Sequence, residues 1–228
     1  ITNVGNGWYR CVLSSEATNN ATPQHQIRLV DESGNPTFSG DDVKGLLTWG
    51  AQVEHSPYPT SYIPTFGATA TRAADVSSSS SNTFGNSFYD QTKGTTFTDA
   101  FRKYDVPSGE FPTVSGFTDG TNADRILNTW VTTTQAGFIV TKNGVLQVNI
   151  YSLTTASRRR LANAFATNNF ASSFNGSTPL TDNNGTLPTI PSMRIGDQFG
   201  IHPLNGTIRR LTYWPTRLSN DTLQTITK

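Results

Sequence analysis

The chain has 228 residues and carries 17 Lys and Arg against 16 Asp and Glu, for a formal charge of +1. A charge so small and so evenly balanced implies no polyelectrolyte partner such as DNA. Its single cysteine, Cys11, excludes an intrachain disulfide, and no stretch is apolar enough to insert into a membrane.

Gly, Asn, Ser and Thr are abundant while Lys and Glu are scarce, a composition that favours strands and turns over helices. The chain starts at Ile1 in a turn-like Asn3-Val4-Gly5-Asn6-Gly7 segment, as expected of a processed product or a fragment. Gly7 to Leu13 reads as a strand, with Trp8 in the core and Cys11 as a small buried hydrophobe. Gln26-Ile27-Arg28-Leu29-Val30 alternates like a half-buried strand. Lys44 to Glu54 is apolar enough for a central strand, with Trp49 in the core. About three strands leave one apolar face bare, so this part needs missing upstream strands, the second module or another copy. Pro57, Pro59 and Pro64 keep the next stretch extended. Tyr62, Ile63 and Phe66 are too apolar for a loose linker, which predicts a tail docked against a sandwich. The serine run from Ser77 to Ser81 marks a boundary, dividing the chain into 1–75 and 76–228.

Beyond that boundary, short strands and turn signals come regularly. Gly94 to Tyr104 places Phe97, Asp99 and Phe101 on one face; an acid between two phenylalanines points to an edge, a bulge or a site. Thr113 to Thr118 leads through the Asp119-Gly120-Thr121-Asn122 turn to a strand from Asp124 to Val131, with Ile126, Asn128 and Trp130 on one face. Asn143-Gly144 predicts a tight hairpin between Gly137–Thr141 and Val145–Tyr151. Asn168-Asn169 joins Arg160–Ala166 to Phe170–Phe174, and Asn175-Gly176 starts the next turn. Met193-Arg194-Ile195 is a short strand. In Gly206 to Pro215, the residues Ile208, Leu211 and Tyr213 share a face only if a bulge lies near Arg209-Arg210. Ser219 caps one short helix, with Leu218 and Leu223 at staple positions and Asp221 at its positive end. The pattern is that of an all-β sandwich.

Two stretches carry a resemblance. Gly7-Trp8-Tyr9-Arg10, Leu47-Thr48-Trp49-Gly50-Ala51-Gln52-Val53-Glu54, Pro59-Thr60-Ser61-Tyr62-Ile63-Pro64-Thr65 and Ala70-Thr71-Arg72-Ala73-Ala74-Asp75 resemble the last strands and exit tail of a jelly-roll, carbohydrate-binding-like module found in bacteriophage and prophage virion-associated, tail-type proteins. The remainder resembles the concanavalin A-like, laminin-G-like domain that commonly follows it. The carriers are the Asp119–Asn122 turn, Asn143-Gly144, Asn175-Gly176, Met193–Gly196, the run from Leu204 to Pro215 and Arg217–Asn220. The resemblance implies a concanavalin A-like (jelly-roll) sandwich preceded by a short, partial jelly-roll-like β segment. It also implies a non-catalytic, lectin-like module of a phage tail or virion surface, binding a glycan or polysaccharide on a host cell. Avidity from repeated copies and the incomplete first sheet argue for a homo-oligomer, and a trimer would suit a fibre. A decoration or assembly protein without glycan binding is the second reading.

A glycan-cleaving enzyme would need two carboxylates about 5–9 Å apart, and no strand carries acids at i and i+2 or i+4 on one face. His25, His55 and His202 lie far apart without zinc spacing. Asp119, Asn122 and Asp124 offer oxygen ligands that would suit calcium, though the same residues make an ordinary hydrogen-bonded turn and no cofactor is expected. No Gly-x-Ser-x-Gly elbow occurs. Arg158-Arg159-Arg160 reads as a solvated edge that deters pairing, with contact to an anionic glycan or phosphate as the sharper alternative. Of the four Asn-x-Ser/Thr sequons, at Asn20, Asn175, Asn184 and Asn205, three are Asn-Gly turn signals. Sugar recognition needs flat rings for C–H faces; the candidates are Tyr89, Trp130, Tyr151, Phe199 and Trp214.

Overall fold

A computed structural model of the chain describes residues 1–15, 26–41, 43, 45–54, 59–71, 77–79, 88–102, 106, 109–153 and 156–228. His25, His55, Pro57, the Asn20 sequon, Arg72 to Asp75 and the last two serines of the serine run fall outside them. The chain divides into two compact units, Ile1–Ala73 and Ala74–Lys228.

In the first unit, strands β1 (Thr2–Gly5) and β2 (Trp8–Arg10) form an antiparallel hairpin. Its turn places Asn6 at φ 52° and Gly7 at φ 79°, the mirror-image geometry that Asn-Gly tolerates. The rest of this unit corrects the sequence reading. Gln26–Val30 and the described part of Lys44–Glu54 pair with no neighbouring strand and are coil. Trp8 and Trp49, expected in a core, are 44% and 75% exposed, and Cys11 is exposed. The physical reason is that a two-stranded hairpin has no second layer, so its apolar side chains meet solvent.

What orders the second half of this unit is the tail folding back on the Trp49 stretch. Tyr62 packs on Trp49 with centroids 4.7 Å apart. Gly50, at φ +69°, meets the same ring at its open Cβ position, 3.5 Å away. Gln52 Oε1 accepts the Ile63 N–H at 2.7 Å, Glu54 accepts the Thr60 N–H at 3.0 Å, and Arg10 donates to the Thr60 carbonyl at 2.6 Å. Docking stops there: Phe66 is 96% exposed, against the expectation that it would pack.

The second unit holds strands β3 (Ser78–Ser79), β4 (Lys93–Phe101), β5 (Thr113–Thr118), β6 (Arg125–Thr132), β7 (Gln135–Lys142), β8 (Val145–Leu153), β9 (Arg158–Ala166), β10 (Phe170–Phe174), β11 (Leu180–Asp182), β12 (Ser192–Ile195) and β13 (Thr207–Trp214), then helix α1 (Asn220–Ile226). They form two antiparallel sheets, in the orders β3-β12-β5-β6-β7-β8 and β11-β10-β9-β4-β13. The fold is an all-β sandwich of jelly-roll type.

Strand alternation fills the space between the sheets. Ile126, Ala136, Phe138, Val140, Val148 and Ile150 of one sheet pack with Leu161, Phe165, Phe170 and Phe174 of the other. The turns follow their residues: Asn143, Asn168 and Asn175 take φ 50°, 56° and 43°, where a short polar side chain is tolerated and a β-branched one is not. The β13 register slips between Ile208 and Arg210, the expected bulge. Ser219 accepts the Thr222 N–H as N-cap of α1, and Leu223 is fully buried beneath it.

A polar spine crosses the apolar core. Asn128 of β6 donates to Ser115 Oγ at 2.6 Å and to Thr96 Oγ1 at 3.2 Å, and its carbonyl accepts from Asn163 of β9. Asn163 in turn accepts from the Ser172 hydroxyl of β10. All five side chains are buried, so the two sheets are tied by satisfied hydrogen bonds in a low-dielectric setting.

The run at 158–160 does not edge a sheet, because β9 lies between β10 and β4. Alternation splits the run. Arg159 is 3% exposed, with its guanidinium on the Gln135, Thr132 and Thr133 carbonyls and 4.5 Å over the Trp130 ring. Burial, with Arg102 nearby, pushes its pKa down to about 10. Arg158 and Arg160 point the other way, onto the outer face.

Candidate functional site

The outer faces of the two sheets differ. On the five-stranded sheet, Phe97, Ala162, Ala164 and Ala171 lie under Leu223 and Ile226 of α1, with Trp214 and Leu218 closing the patch. On the six-stranded sheet no helix covers the face among the described residues of this unit. Alternation places there Arg194 of β12, Arg125 and Val131 of β6, Ile139 and Thr141 of β7, and Asn149 and Tyr151 of β8. Four interstrand steps separate β12 from β8, about 19 Å at ~4.8 Å each.

Glycines shape this surface. A Cβ on Gly137 would sit 2.7 Å from Val131 Cγ2 and 2.9 Å from the Tyr151 ring, so both side chains lean over that position. Gly116 likewise makes room for Leu127, whose Cδ2 would be 2.7 Å from a Cβ there. The result is a low apolar floor with polar groups at one end.

At that end Arg125 donates to Asn122 Oδ1 and, at 3.3 Å, to Thr141 Oγ1. Gln198 donates to the same Asn122 oxygen at 2.9 Å. Arg194 forms a two-pronged pair with Asp197 at 2.7 and 2.8 Å, and Asp197 also accepts the Gly200 N–H at 3.2 Å. The two arginines are therefore unlike. Arg194 has its counter-charge, whereas both hydrogen-bond partners of Arg125 are neutral, and no ion pair to it occurs among the described residues. Burial alone depresses the Arg125 pKa. A cation held partly out of water beside neutral oxygens is poised to gain from an incoming anion.

The five predicted rings separate. Phe199 sits at the tip of a tight loop in which Gln198 and Ile201 exchange hydrogen bonds at 2.8 and 2.9 Å. Its φ of 40° is a left-handed conformation costly for a bulky residue, and such strain gathers at functional sites. Tyr151, 37% exposed, lies at the opposite end of the same face. Trp214 packs half-buried on the other sheet, under the helix patch. Tyr89 and Trp130 are 9% and 3% exposed: Tyr89 stacks on Tyr213 at 5.5 Å, and Arg159 occupies a face of Trp130. Neither presents a ring to a ligand. Sequence reasoning passed over Arg125, Arg194, Gln198 and Asn149. The signal for Arg125 was present, since placing Ile126, Asn128 and Trp130 inward turns Arg125 outward.

The oxygens considered for calcium are occupied by hydrogen bonds: Asp119 accepts from Thr121, Asn122 from Arg125 and Gln198, and Asp124 from the Asn143 N–H. Among the described residues no group of three or more His, Cys, Asp or Glu is placed to hold a metal ion. Asp99 is bound by Arg158, and Glu110 by His202 at 2.7 Å.

No family model and no curated protein matches the chain. Solved structures do. A carbohydrate-binding module, the Ruminococcus gnavus IT-sialidase CBM40 bound to α2,3-sialyllactose, superposes with a TM-score of 0.50 at 13% identity, over 60% of this chain and 84% of that one. The sandwich shares its fold with a carbohydrate-binding module. The NanB sialidase of Streptococcus pneumoniae superposes with a TM-score of 0.50 at 11% identity, over 65% of this chain and 26% of that chain, so the matched stretch is about a quarter of it.

Proposed function

We propose that the second unit is a non-catalytic carbohydrate-binding module whose site is the outer face of the six-stranded sheet, and that its ligand carries a carboxylated sugar. The observation that carries this is Arg125, a half-desolvated cation without a carboxylate partner among the described residues, at one end of a floor that ends in Tyr151. A sugar carboxylate would pair with Arg125, hydroxyls with Gln198 and Asn149, and a C–H face with Tyr151. The α2,3-sialyllactose bound by the R. gnavus module supports this ligand class. The site needs no metal, because its charge is supplied by arginine. Single-site affinity is weak and repeated copies supply avidity. The resemblance of the Trp49–Asp75 tail supports display on a phage virion.

Saturation-transfer NMR and titration calorimetry with 3′-sialyllactose and lactose test the reading. Sialyllactose binding, absent for lactose and weakened about 10–100-fold by Arg125→Gln, is expected from the loss of a charge-assisted hydrogen bond. Equal binding of both sugars, or an unaffected Arg125→Gln variant, overturns it.

A second reading, assembly through the first unit, is favoured by Leu47 and Trp49, which are 83% and 75% exposed. Sedimentation of the full chain tests it: a homo-oligomer dispersed by Trp49→Ser supports an assembly role, and a monomer excludes one.

A further inference from the structure

The overall charge of +1 hides a local concentration of cations. On the outer face of the five-stranded sheet, beyond the patch roofed by α1, Asp99 of β4 has Arg160 of β9 as its ladder partner on one side and Arg210 of β13 on the other. Arg158 binds Asp99 through both prongs, at 2.8 and 2.5 Å. Arg209, the residue extruded by the β13 bulge, lies close enough to act on the same carboxylate. Four arginines thus surround one acid, and that acid is already matched by Arg158.

Bland explanations cover only part of the cluster. Edge protection accounts for arginines on β13, which ends its sheet, but not for Arg158 and Arg160, because β9 is an interior strand. Packing does not account for Arg210, which is exposed and, among the described residues, spans to Thr212 Oγ1 at 3.1 Å and over Phe97, 5.6 Å from the ring centroid.

We propose that Arg160, Arg209 and Arg210 form a second binding site, for a polysaccharide bearing sulfate or phosphate groups. Three cations without an acid partner among the described residues, each with a planar fork, suit tetrahedral oxyanions. Arg160 and Arg210 stand two ladder steps apart, about 10 Å, with the Asp99 carboxylate between them. One small oxyanion cannot bridge that span and would be repelled at its middle. A chain with two or more anionic groups straddles it. This site is independent of the Arg125 face, which lies on the opposite sheet.

The test uses the full chain and dextran sulfate, with neutral dextran, sodium sulfate and a 12-base-pair DNA duplex as comparisons, in biolayer interferometry from 50 to 300 mM NaCl. Dextran sulfate binds and dextran does not; sodium sulfate competes poorly, and DNA binds at least tenfold more weakly. Arg160→Gln/Arg210→Gln weakens dextran sulfate binding at least tenfold and flattens the log–log salt dependence by about two, roughly one per cation removed. Arg125→Gln, on the opposite sheet, weakens it less than the double variant does. Asp99→Asn, which frees Arg158 and removes the central negative charge, tightens binding severalfold and carries the test on its own if the double variant folds poorly. Unchanged binding in the double variant, or weaker binding in Asp99→Asn, overturns the proposal. Equal binding of DNA overturns the ligand class.

Discussion

Asn128→Ala tests whether the polar spine joins the two sheets. Truncation removes the donor to Ser115 and Thr96 and the acceptor used by Asn163. The two hydroxyls can turn to other partners, at a loss of about 1 kcal/mol for each bond. Asn163 Nδ2 cannot: it is fully buried in the middle of β9, and stranding it costs about 1–3 kcal/mol more. The sum, about 3–5 kcal/mol, is a large share of the ~5–15 kcal/mol that holds a domain together. At ~2–4 °C per kcal/mol for a unit of this size, the melting temperature falls by roughly 6–20 °C. Urea unfolding followed by near-ultraviolet circular dichroism reads the same loss as a lower midpoint at unchanged slope. Ser172→Ala, which touches only the far end of the spine, costs about 1 kcal/mol. The two substitutions are coupled through Asn163, by about 0.5 kcal/mol or more in a double-mutant cycle. A loss below about 1 kcal/mol for Asn128→Ala, or strict additivity with Ser172→Ala, refutes a connected spine.

Gly137→Ala drives a methyl into Val131 and the Tyr151 ring; it costs about 1–3 kcal/mol of stability and displaces Tyr151, so sialyllactose binding weakens along with the melting temperature, whereas binding equal to the parent protein detaches Tyr151 from the site. Asp99 is held below the ordinary aspartate range chiefly by its hydrogen bonds to Arg158, which outweigh burial, with Arg160 and Arg209 adding to the effect. A depressed carboxylate contributes stability that is present above the unfolded value of ~3.9 and is lost as pH falls through the folded one. Carboxyl-carbon NMR titration therefore shows the Asp99 pKa rising toward the ordinary range in Arg158→Gln, with a gentler loss of stability on acidification; an unmoved pKa contradicts the pairing.

What was legible in the sequence was local. Asn143-Gly144 carries its turn in two residues, Ser219 caps α1 through the next turn of backbone, and the slip at Arg209-Arg210 follows from counting alternate apolar positions. What was not legible depends on a partner. Gln26–Val30 has the alternation of a strand but no neighbour to pair with, and Trp49 has the chemistry of a core residue but no second layer above it. Two of the five candidate rings were misplaced for the same reason. An aromatic side chain does not declare whether it fills a core or faces a ligand, so Trp130 and Tyr89 were mistaken for platforms while Arg125, one residue from a correctly placed inward face, was passed over. Net charge misled in another way, averaging the arginines around Asp99 against acids placed elsewhere.

The period of two along β6 and β8 also separates what must be kept from what is free to change. Ile126, Asn128, Trp130, Val148 and Ile150 face the core, while Arg125, Val131, Asn149 and Tyr151, interleaved with them, face outward. A library that randomises only the second set leaves every interior side chain in place. What the outer face binds can then change without passing through unfolded intermediates, and the sandwich serves as a fixed frame for a replaceable surface.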